Sequence, residues 1–254
     1  MADPLPAWTL VRLSRFYTRI SNPIALITRR FLATAAKVGI VARANGYCLD
    51  VGAGTAPYRT DLLKLLGRTR YVTIDVAPSD TTLVIADGCR MPFATGTFDL
   101  AVSFDVIQHV AKPERMIDEM VRAIMPGGHV LLTFAFLYPE CDFRDFHRWT
   151  LEGMKQLLRD RGLEIMLAER RGGPCLVAAC TLNWIMQHLI PGQRRSWRAA
   201  STWPNFLRVA LVAMLTLPTT LLAWLALAVD HVLPPCGIYM GGAIVAWKPQ
   251  GEVA

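Results

Sequence analysis

The sequence predicts an α/β fold in which a seven-stranded, Rossmann-like sheet carries helices on both faces. Short apolar runs alternate with helical patterns along most of the chain. A glycine turn, Gly52 to Gly54, follows the first apolar run, and Asp75 ends the next one. Apolar strands that alternate with helices are typical of a parallel sheet buried on both faces. Glycines admit a ligand close to the backbone, so the same stretch predicts a nucleoside site.

The elements follow from periodicity and from helix start and stop signals. Pro113 and Glu114 open a helix that ends before Pro126-Gly127-Gly128, and Thr150 is the expected N-cap of the next helix. The predicted helices are 58–67, 113–124 and 150–161. The predicted strands are 47–51, 71–76, 82–86, 98–104, 129–136, 163–169 and 238–247.

We divide the chain into four segments. Residues 1–45 form a basic amphipathic helical cap, and 46–173 form the nucleoside-binding core. Residues 174–236 are an apolar helical insertion before the last strand, and 237–254 supply that strand and a tail. This order predicts that the insertion interrupts the sheet's own sequence and serves as a substrate cover or a membrane contact.

Composition limits the classes of protein to consider. The chain has 254 residues, a net charge of +7 and 53% hydrophobic residues, which is high for a soluble enzyme. The positive charge favours anionic partners. The six cysteines form no C-x-x-C pair, so we expect a reducing compartment and no metal site. The first residues lack signal-peptide features, so we expect a cytoplasmic protein.

The insertion contains an uncharged run at 209–229 that is interrupted only by Pro218. Its length could cross a bilayer, and the alternatives are a monotopic contact in the membrane plane and an apolar lid or homodimer surface. We favour the monotopic contact at the inner face of the membrane, because the last strand must return to the sheet on the same side. The arginines that would attract anionic headgroups are Arg194, Arg195 and Arg198.

The residues of the glycine turn narrow the choice of nucleoside. The third glycine of the dinucleotide fingerprint is absent, since Ala56 and Pro57 follow Gly54. Asp50 lies two residues before the first glycine, where a carboxylate would repel a pyrophosphate but suits a cationic ligand. Asp75 can accept hydrogen bonds from two ribose hydroxyls. A dehydrogenase is therefore disfavoured.

Five motifs in order carry a resemblance to the class I S-adenosylmethionine-dependent methyltransferases. The broad group (methyltransferase type 11) includes the ubiquinone and menaquinone methyltransferases. The resemblance covers roughly 45–170 and the last strand, and Ala56 departs from it where many relatives have glycine. The motifs are Leu49-Asp50-Val51-Gly52-Ala53-Gly54-Thr55, Ile74-Asp75-Val76, Ala86-Asp87-Gly88-Cys89-Arg90-Met91-Pro92-Phe93, Phe98 through Val110, and Met125-Pro126-Gly127-Gly128.

The resemblance implies that the cofactor is S-adenosylmethionine, which leaves as S-adenosylhomocysteine, and that no metal is needed. At the methionine end, Asp50 and Gly52 would face the amino acid part, and Gly54 would allow close approach. Phe104 would line the methyl-transfer face.

At the nucleoside end, the resemblance implies four residues. Asp75 would bind both ribose hydroxyls, and Val76 would lie against the adenine. Asp87 would accept from the adenine amino group, with Gly88 beside it.

Two histidines are candidates for a general base, which a hydroxyl or acidic carbon acceptor needs. His109 follows the fourth strand, and His147 precedes a helix; both could instead be structural. The segment around His147 resembles a substrate-side motif of the family. Its candidate substrate residues are Asp145, Arg148 and Trp149, with Asp142 and Arg144 on the same rim.

The leading hypothesis is O- or C-methylation of a hydrophobic or membrane-presented small molecule, such as a lipid, a quinone, a lipid-linked sugar or a secondary metabolite. The insertion at 174–236 and the basic N-terminal region would contact the membrane. A cofactor-binding scaffold without catalysis is one alternative. An RNA methyltransferase is another, but nucleic acid is disfavoured because no aromatic stacking platform accompanies the arginines.

Overall fold

The computed structural model describes residues 23–37, 46–67, 69–140, 144–188, 205–234 and 236–250. The chain forms two compact units. One unit consists of Thr28–Arg171 with Tyr239–Ala254, and the other of Met1–Ile27 with Gly172–Ile238. Asp142 and the arginines at positions 194, 195 and 198 lie outside the described residues. The four predicted segments stay a prediction.

The first unit contains a seven-stranded sheet, as the sequence predicts. The strand order is β3-β2-β1-β4-β5-β7-β6. Strand order reverses between β1 and β4, so the ends of these strands open into a crevice where doubly wound sheets bind ligands. The strands are β1 (Tyr47–Val51), β2 (Arg70–Asp75), β3 (Val84–Ile85), β4 (Phe98–Phe104), β5 (Ile124–Ala135), β6 (Glu164–Arg171) and β7 (Gly241–Trp247).

The last strand departs from the parallel arrangement that the alternating strands and helices indicate. β1 pairs in parallel with β2 and β4, and β4 with β5. β7 is antiparallel to both β5 and β6, between which it lies. β5 also begins at Ile124, five residues before the predicted strand, because Pro126 to Gly128 continue in the strand instead of ending the helix with a loop.

The helices of this unit bury one face each. α3 buries Met116, Ile117, Met120 and Ala123, a spacing that places them on one stripe. Thr150 is the N-cap of α4, as predicted, and its hydroxyl accepts from the Gly153 amide. The helices are α1 (Pro23–Lys37), which belongs to this unit from Thr28 onward, α2 (Arg59–Leu66), α3 (Pro113–Ala123) and α4 (Leu151–Arg159), with a 3₁₀ turn at Ile107–His109.

The second unit contains two apolar helices, α5 (Pro174–His188) and α6 (Asn205–Asp230). Asp230, the last residue of α6, accepts hydrogen bonds from the Gly173, Cys175 and Leu176 amides at the start of α5. This carboxylate therefore caps the positive end of the neighbouring helix. A Thr219 to Asn183 hydrogen bond joins the two helices again.

α6 carries a stripe of exposed aliphatic side chains. Pro218 lies inside this helix, near the middle of the run noted in the sequence. Among the residues that the structure describes, no helix is long and apolar enough to cross a membrane. The exposed stripe consists of Met214, Leu221, Leu222, Leu225 and Val229.

Candidate active site

The carboxyl ends of β1 to β4 bring the predicted cofactor residues to one edge of the sheet. Gly52 and Gly54 both have positive φ, 71° and 52°, which side chains rarely adopt. A Cβ on Gly52 would lie 2.5 Å from the Val106 side chain, whereas one on Gly54 would meet nothing within 4 Å. Gly52 is therefore required for packing, and Gly54 leaves open space above the turn.

Ala56 adopts φ 47°, the same left-handed conformation as the two glycines. The position where many relatives have a third glycine thus requires a left-handed backbone. Alanine adopts that conformation here, with some strain. Ala56 is buried, so its small side chain also fits its surroundings. The departure noted in the sequence leaves the shape of the turn intact.

Asp75 ends β2 and holds the glycine turn. One carboxylate oxygen accepts from the Gly54 amide at 2.8 Å, and the other from the Ala77 amide at 2.9 Å. The loop after β2 returns to the turn as well, since the Ser79 and Thr81 hydroxyls both donate to the Gly54 carbonyl. A carboxylate oxygen has further lone pairs. Asp75 can therefore accept from ribose hydroxyls while it orders the turn.

Asp50 is a buried acid beneath the turn, with 2% of its surface exposed. It accepts a 2.6 Å hydrogen bond from the Tyr71 hydroxyl. Burial raises the pKa of the Asp50 carboxyl to about 6; the Tyr71 bond lowers it and the Asp75 charge raises it. A cation near this group would stabilise its charged form. Such an acid fits a sulfonium or ammonium ligand.

The remaining predicted nucleoside contacts lie further along the same edge. Val76 follows Asp75 and is 59% exposed, which leaves its side chain available to a planar ligand. Asp87 is exposed and accepts from the Cys89 amide at 2.8 Å. A Cβ on Gly88 would lie 3.1 Å from the Val51 side chain, so glycine is needed there for packing against β1.

Phe104 ends β4 and packs on the Tyr58 ring, with 4.6 Å between the ring centroids. The Tyr58 hydroxyl bonds to Thr28 of α1, and burial raises the pKa of Tyr58. Arg29 of the same helix pairs with Asp61 of α2. From Thr28 onward, α1 therefore packs against the ligand edge of the sheet.

Asp105 and Arg171 form a charge pair at this edge that sequence reasoning missed. Arg171 ends β6 and is 3% exposed, and its guanidinium donates to both Asp105 carboxylate oxygens. It also donates to the Thr28 hydroxyl and the Phe134 carbonyl. Asp105 has φ 54°, a strained conformation for a residue other than glycine. Such strain is often found at functional sites.

Glycine in β7 gives Arg171 its path across the sheet. A Cβ on Gly241 would lie 2.1 Å from the Phe134 carbonyl oxygen and 3.1 Å from the Arg171 guanidinium. Any larger residue would block this crossing. The Gly241-Gly242 pair in the sequence was the available signal, because glycine within a strand often marks a close approach.

The two candidate histidines lie on segments that bind each other. The His109 Nδ1 contacts the Arg144 carbonyl at 3.1 Å. The Phe146 and His147 amides donate to the Gln108 carbonyl, at 2.8 and 3.3 Å. The 3₁₀ turn after β4 and the segment before α4 are thus one hydrogen-bonded group, and both candidate bases belong to it.

The other predicted substrate residues are placed in the same segment. The Arg148 guanidinium binds the Asp145 carboxylate through both terminal nitrogens, and its Nε donates to the Tyr138 carbonyl at 3.2 Å. The pair therefore orders the segment's backbone. Trp149 donates its amide to Ala135 at the end of β5 and packs against the core. The substrate roles of these residues stay predictions.

No group of three or more metal-ligating side chains lies together within the described ranges. The sheet edge instead presents hydrogen-bond acceptors, the carboxylates of Asp50, Asp75 and Asp87, around an open glycine turn. Separated acids of this kind suit hydroxyl, amino and sulfonium groups.

The seven-stranded order, the glycine turn and the acids that end the strands define the class: this chain has the class I S-adenosylmethionine-dependent methyltransferase fold. Residues 49–132 match the family described as "Methyltransferase domain". The resemblance predicted from the sequence motifs is thereby confirmed.

Similar proteins agree with this assignment. A chain named "Uncharacterized methyltransferase" from Mycolicibacterium gilvum is 30% identical over 133 residues, 47% of this chain and 50% of that one. The chain spans about half the length of this curated relative. A candidate sarcosine dimethylglycine methyltransferase from Galdieria sulphuraria has a TM-score of 0.57 at 18% identity, with 88% of this chain and 85% of that one covered.

A second solved structure carries its donor. Haemonchus contortus phosphoethanolamine N-methyltransferase 2, in complex with S-adenosyl-L-methionine, has a TM-score of 0.50 at 18% identity. The match covers 84% of this chain and 52% of that one. At these identities the structural likeness shows the fold alone.

Proposed function

We propose that this protein transfers a methyl group from S-adenosylmethionine to a hydrophobic or membrane-presented small molecule. The observation that carries the donor assignment is the Asp75 carboxylate, which binds the Gly54 amide and stands at the end of β2 beside an open turn. The acid, the turn and the buried Asp50 together fit a ligand with a ribose and a positive charge.

In this proposal each end of the donor has its own residues. Asp75 accepts from the ribose hydroxyls, and Val76, Asp87 and Gly88 hold the adenine. Asp50 and Gly52 lie at the methionine end. When bound, S-adenosylmethionine supplies an electrophilic methyl group. The chain's own contribution is to orient the donor along the strand ends, with Phe104 on the side where an acceptor approaches.

An apolar surface of the second unit supports a hydrophobic or membrane-presented acceptor. Its exposed aliphatic stripe on α6 includes Leu221 and Leu225, and no charged residue occurs in the sequence between 209 and 229. An uncharged helix face of this kind suits the boundary between headgroups and acyl chains. We therefore include peripheral or monotopic attachment to the inner face of a membrane in the proposal, with a lipid, quinone, lipid-linked sugar or apolar metabolite as acceptor.

Calorimetry with S-adenosylhomocysteine tests the donor site. The Asp75→Ala variant should bind it about a hundredfold more weakly, because two ribose hydrogen bonds and the order of the turn are lost. Asp80→Ala is the matched control: it removes an exposed acid from the loop after β2 and should bind like wild type. Equal affinity in all three proteins would refute the donor site. Binding without transfer from labelled S-adenosylmethionine to a cell lipid and metabolite extract would instead indicate a non-catalytic scaffold.

A further inference from the structure

Four buried polar atoms near the ends of β4 and β5 have no hydrogen-bond partner within the described residues. One is the Nε of Arg171, whose terminal nitrogens bind Asp105 and Phe134, and three remain to be explained. Two belong to the segment before α4, the His147 Nε2 and the Trp149 Nε1, and the third is the Gln108 Oε1. Gln108 is only 4% exposed. A buried polar atom without a partner costs about 1–3 kcal/mol, so three in one region need an explanation.

The three residues are neighbours: a hydrogen bond joins Gln108 to His147, and the Trp149 ring lies beside the His147 ring. The Gln108 carbonyl accepts from the His147 amide at 3.3 Å, and the His147 and Trp149 rings lie 5.8 Å apart. Gln108 is fixed on its other side, because its amide nitrogen donates to the Asp105 carbonyl at 2.8 Å. The side-chain oxygen of Gln108 is therefore the accepting end of an amide whose orientation is set.

The chemistry of the three atoms is complementary. The Gln108 Oε1 can only accept a hydrogen bond, and the Trp149 indole N–H can only donate one. The His147 Nε2 does either, according to its tautomer. A group that satisfies both fixed partners must donate and accept together. A hydroxyl does so, whereas a carbonyl or ether oxygen, a carboxylate or an ammonium serves only one of them.

We propose that Gln108, His147 and Trp149 form a subsite that binds a neutral hydroxyl group of the acceptor. The hydroxyl donates to the Gln108 Oε1 and accepts from the Trp149 indole N–H, and His147 makes the third contact. This inference rests on the proposed function for its meaning, because it names the polar group of the acceptor of that reaction. The apolar remainder of the acceptor meets the aromatic rings of the same segment.

NMR of the full chain, saturated with S-adenosylhomocysteine, tests the subsite with small probes. The probes are phenol, its methyl ether anisole, and toluene, which have similar size but differ in hydrogen bonding. The indole ¹⁵N–¹H signal of Trp149 is assigned by its loss in Trp149→Phe. The Trp247 signal is the internal control, because Trp247 pairs with His129 at the opposite end of β5.

Phenol should shift the Trp149 signal in a saturable manner and leave the Trp247 signal in place. Anisole and toluene should bind about tenfold more weakly, because they cannot donate to the Gln108 oxygen. Gln108→Met should reduce the affinity for phenol to that for anisole. Equal binding of the three probes, or no shift of the Trp149 signal by phenol, would overturn the subsite. Calorimetry on the same samples separates the two proposals, since intact S-adenosylhomocysteine binding leaves the donor site standing when the subsite fails.

Discussion

Asp50 illustrates at the scale of one residue how a ligand site lowers stability. Its carboxyl is buried, and its pKa of about 6 in the folded chain exceeds the value near 4 of an unfolded one. Between these values the folded state holds a proton that the unfolded state has lost. The contribution of the Asp50 carboxyl to the free energy of unfolding is therefore fully present at low pH, and it is lost as the pH rises through about 6.

Asp50→Asn should consequently stabilise the protein without ligand. The amide keeps an acceptor for the Tyr71 hydroxyl and cannot ionise. The free energy of unfolding of the variant should exceed that of wild type by an amount that grows with pH, to about 2–3 kcal/mol at neutral pH. Urea unfolding at several pH values measures this difference. A difference that does not vary with pH would contradict the buried, ionising acid.

The glycine turn allows a second test at this scale. Gly52→Ala should destabilise the fold by about 2–4 kcal/mol, because positive φ and a clash with Val106 act together. Gly54→Ala should cost only about 1–2 kcal/mol, since its Cβ would enter open space. The same substitution at Gly54 should nevertheless weaken S-adenosylhomocysteine binding by about tenfold or more. Thermal unfolding measures the loss of stability in both variants, and calorimetry measures their binding of S-adenosylhomocysteine. A Gly52→Ala protein as stable as wild type would contradict the prediction.

At the scale of elements, the Asp105–Arg171 pair joins the ends of β4 and β6. Its two partners differ in exposure, with side chains 35% and 4% exposed. Water can reach the acid if the arginine is removed, but the arginine cannot leave the interior if the acid is removed. We therefore expect the two single substitutions to differ.

Asp105→Asn should destabilise by about 3–5 kcal/mol, because it leaves a buried guanidinium without its counter-charge. Asparagine tolerates the left-handed backbone, so the loss reports on charge. Arg171→Met should cost less. Asp118→Asn is the matched control in an exposed pair with Arg161, whose removal should leave the melting temperature almost unchanged. Equal losses at Asp105 and Asp118 would show that the buried pair contributes nothing.

The sequence predicted the strands and helices that local residue patterns determine. Apolar runs located every strand, and Thr150 marked the start of α4 through its capping chemistry. The antiparallel direction of β7 could not be predicted, because the direction of that strand depends on where the insertion returns the chain to the sheet. The Asp105–Arg171 pair could not be predicted either, since local sequence patterns do not relate residues that are 66 positions apart. Unsatisfied atoms such as the Gln108 Oε1 follow only from packing.

At the scale of the whole molecule, exposed apolar side chains occur in both units but with different surroundings. Leu83 and Ile85 of the sheet unit are 63% and 64% exposed, and Leu221 and Leu225 of the other unit are 61% and 62% exposed. Only the second pair belongs to an uncharged helical stripe. Individual exposed leucines are ordinary, whereas a continuous apolar face indicates a contact surface. The two pairs are therefore matched in exposure and differ in context.

Flotation with vesicles that contain anionic lipid tests whether the stripe binds a membrane. Wild type should float with the vesicles, and the double variant Leu221→Asp with Leu225→Asp should remain at the bottom, because charge on this face opposes burial among acyl chains. Leu83→Asp with Ile85→Asp should float like wild type. Sedimentation velocity without lipid tests the alternative, in which the stripe is a subunit interface. If wild type is a dimer that only the α6 variant dissociates, the stripe is a subunit interface, and membrane attachment through it is refuted.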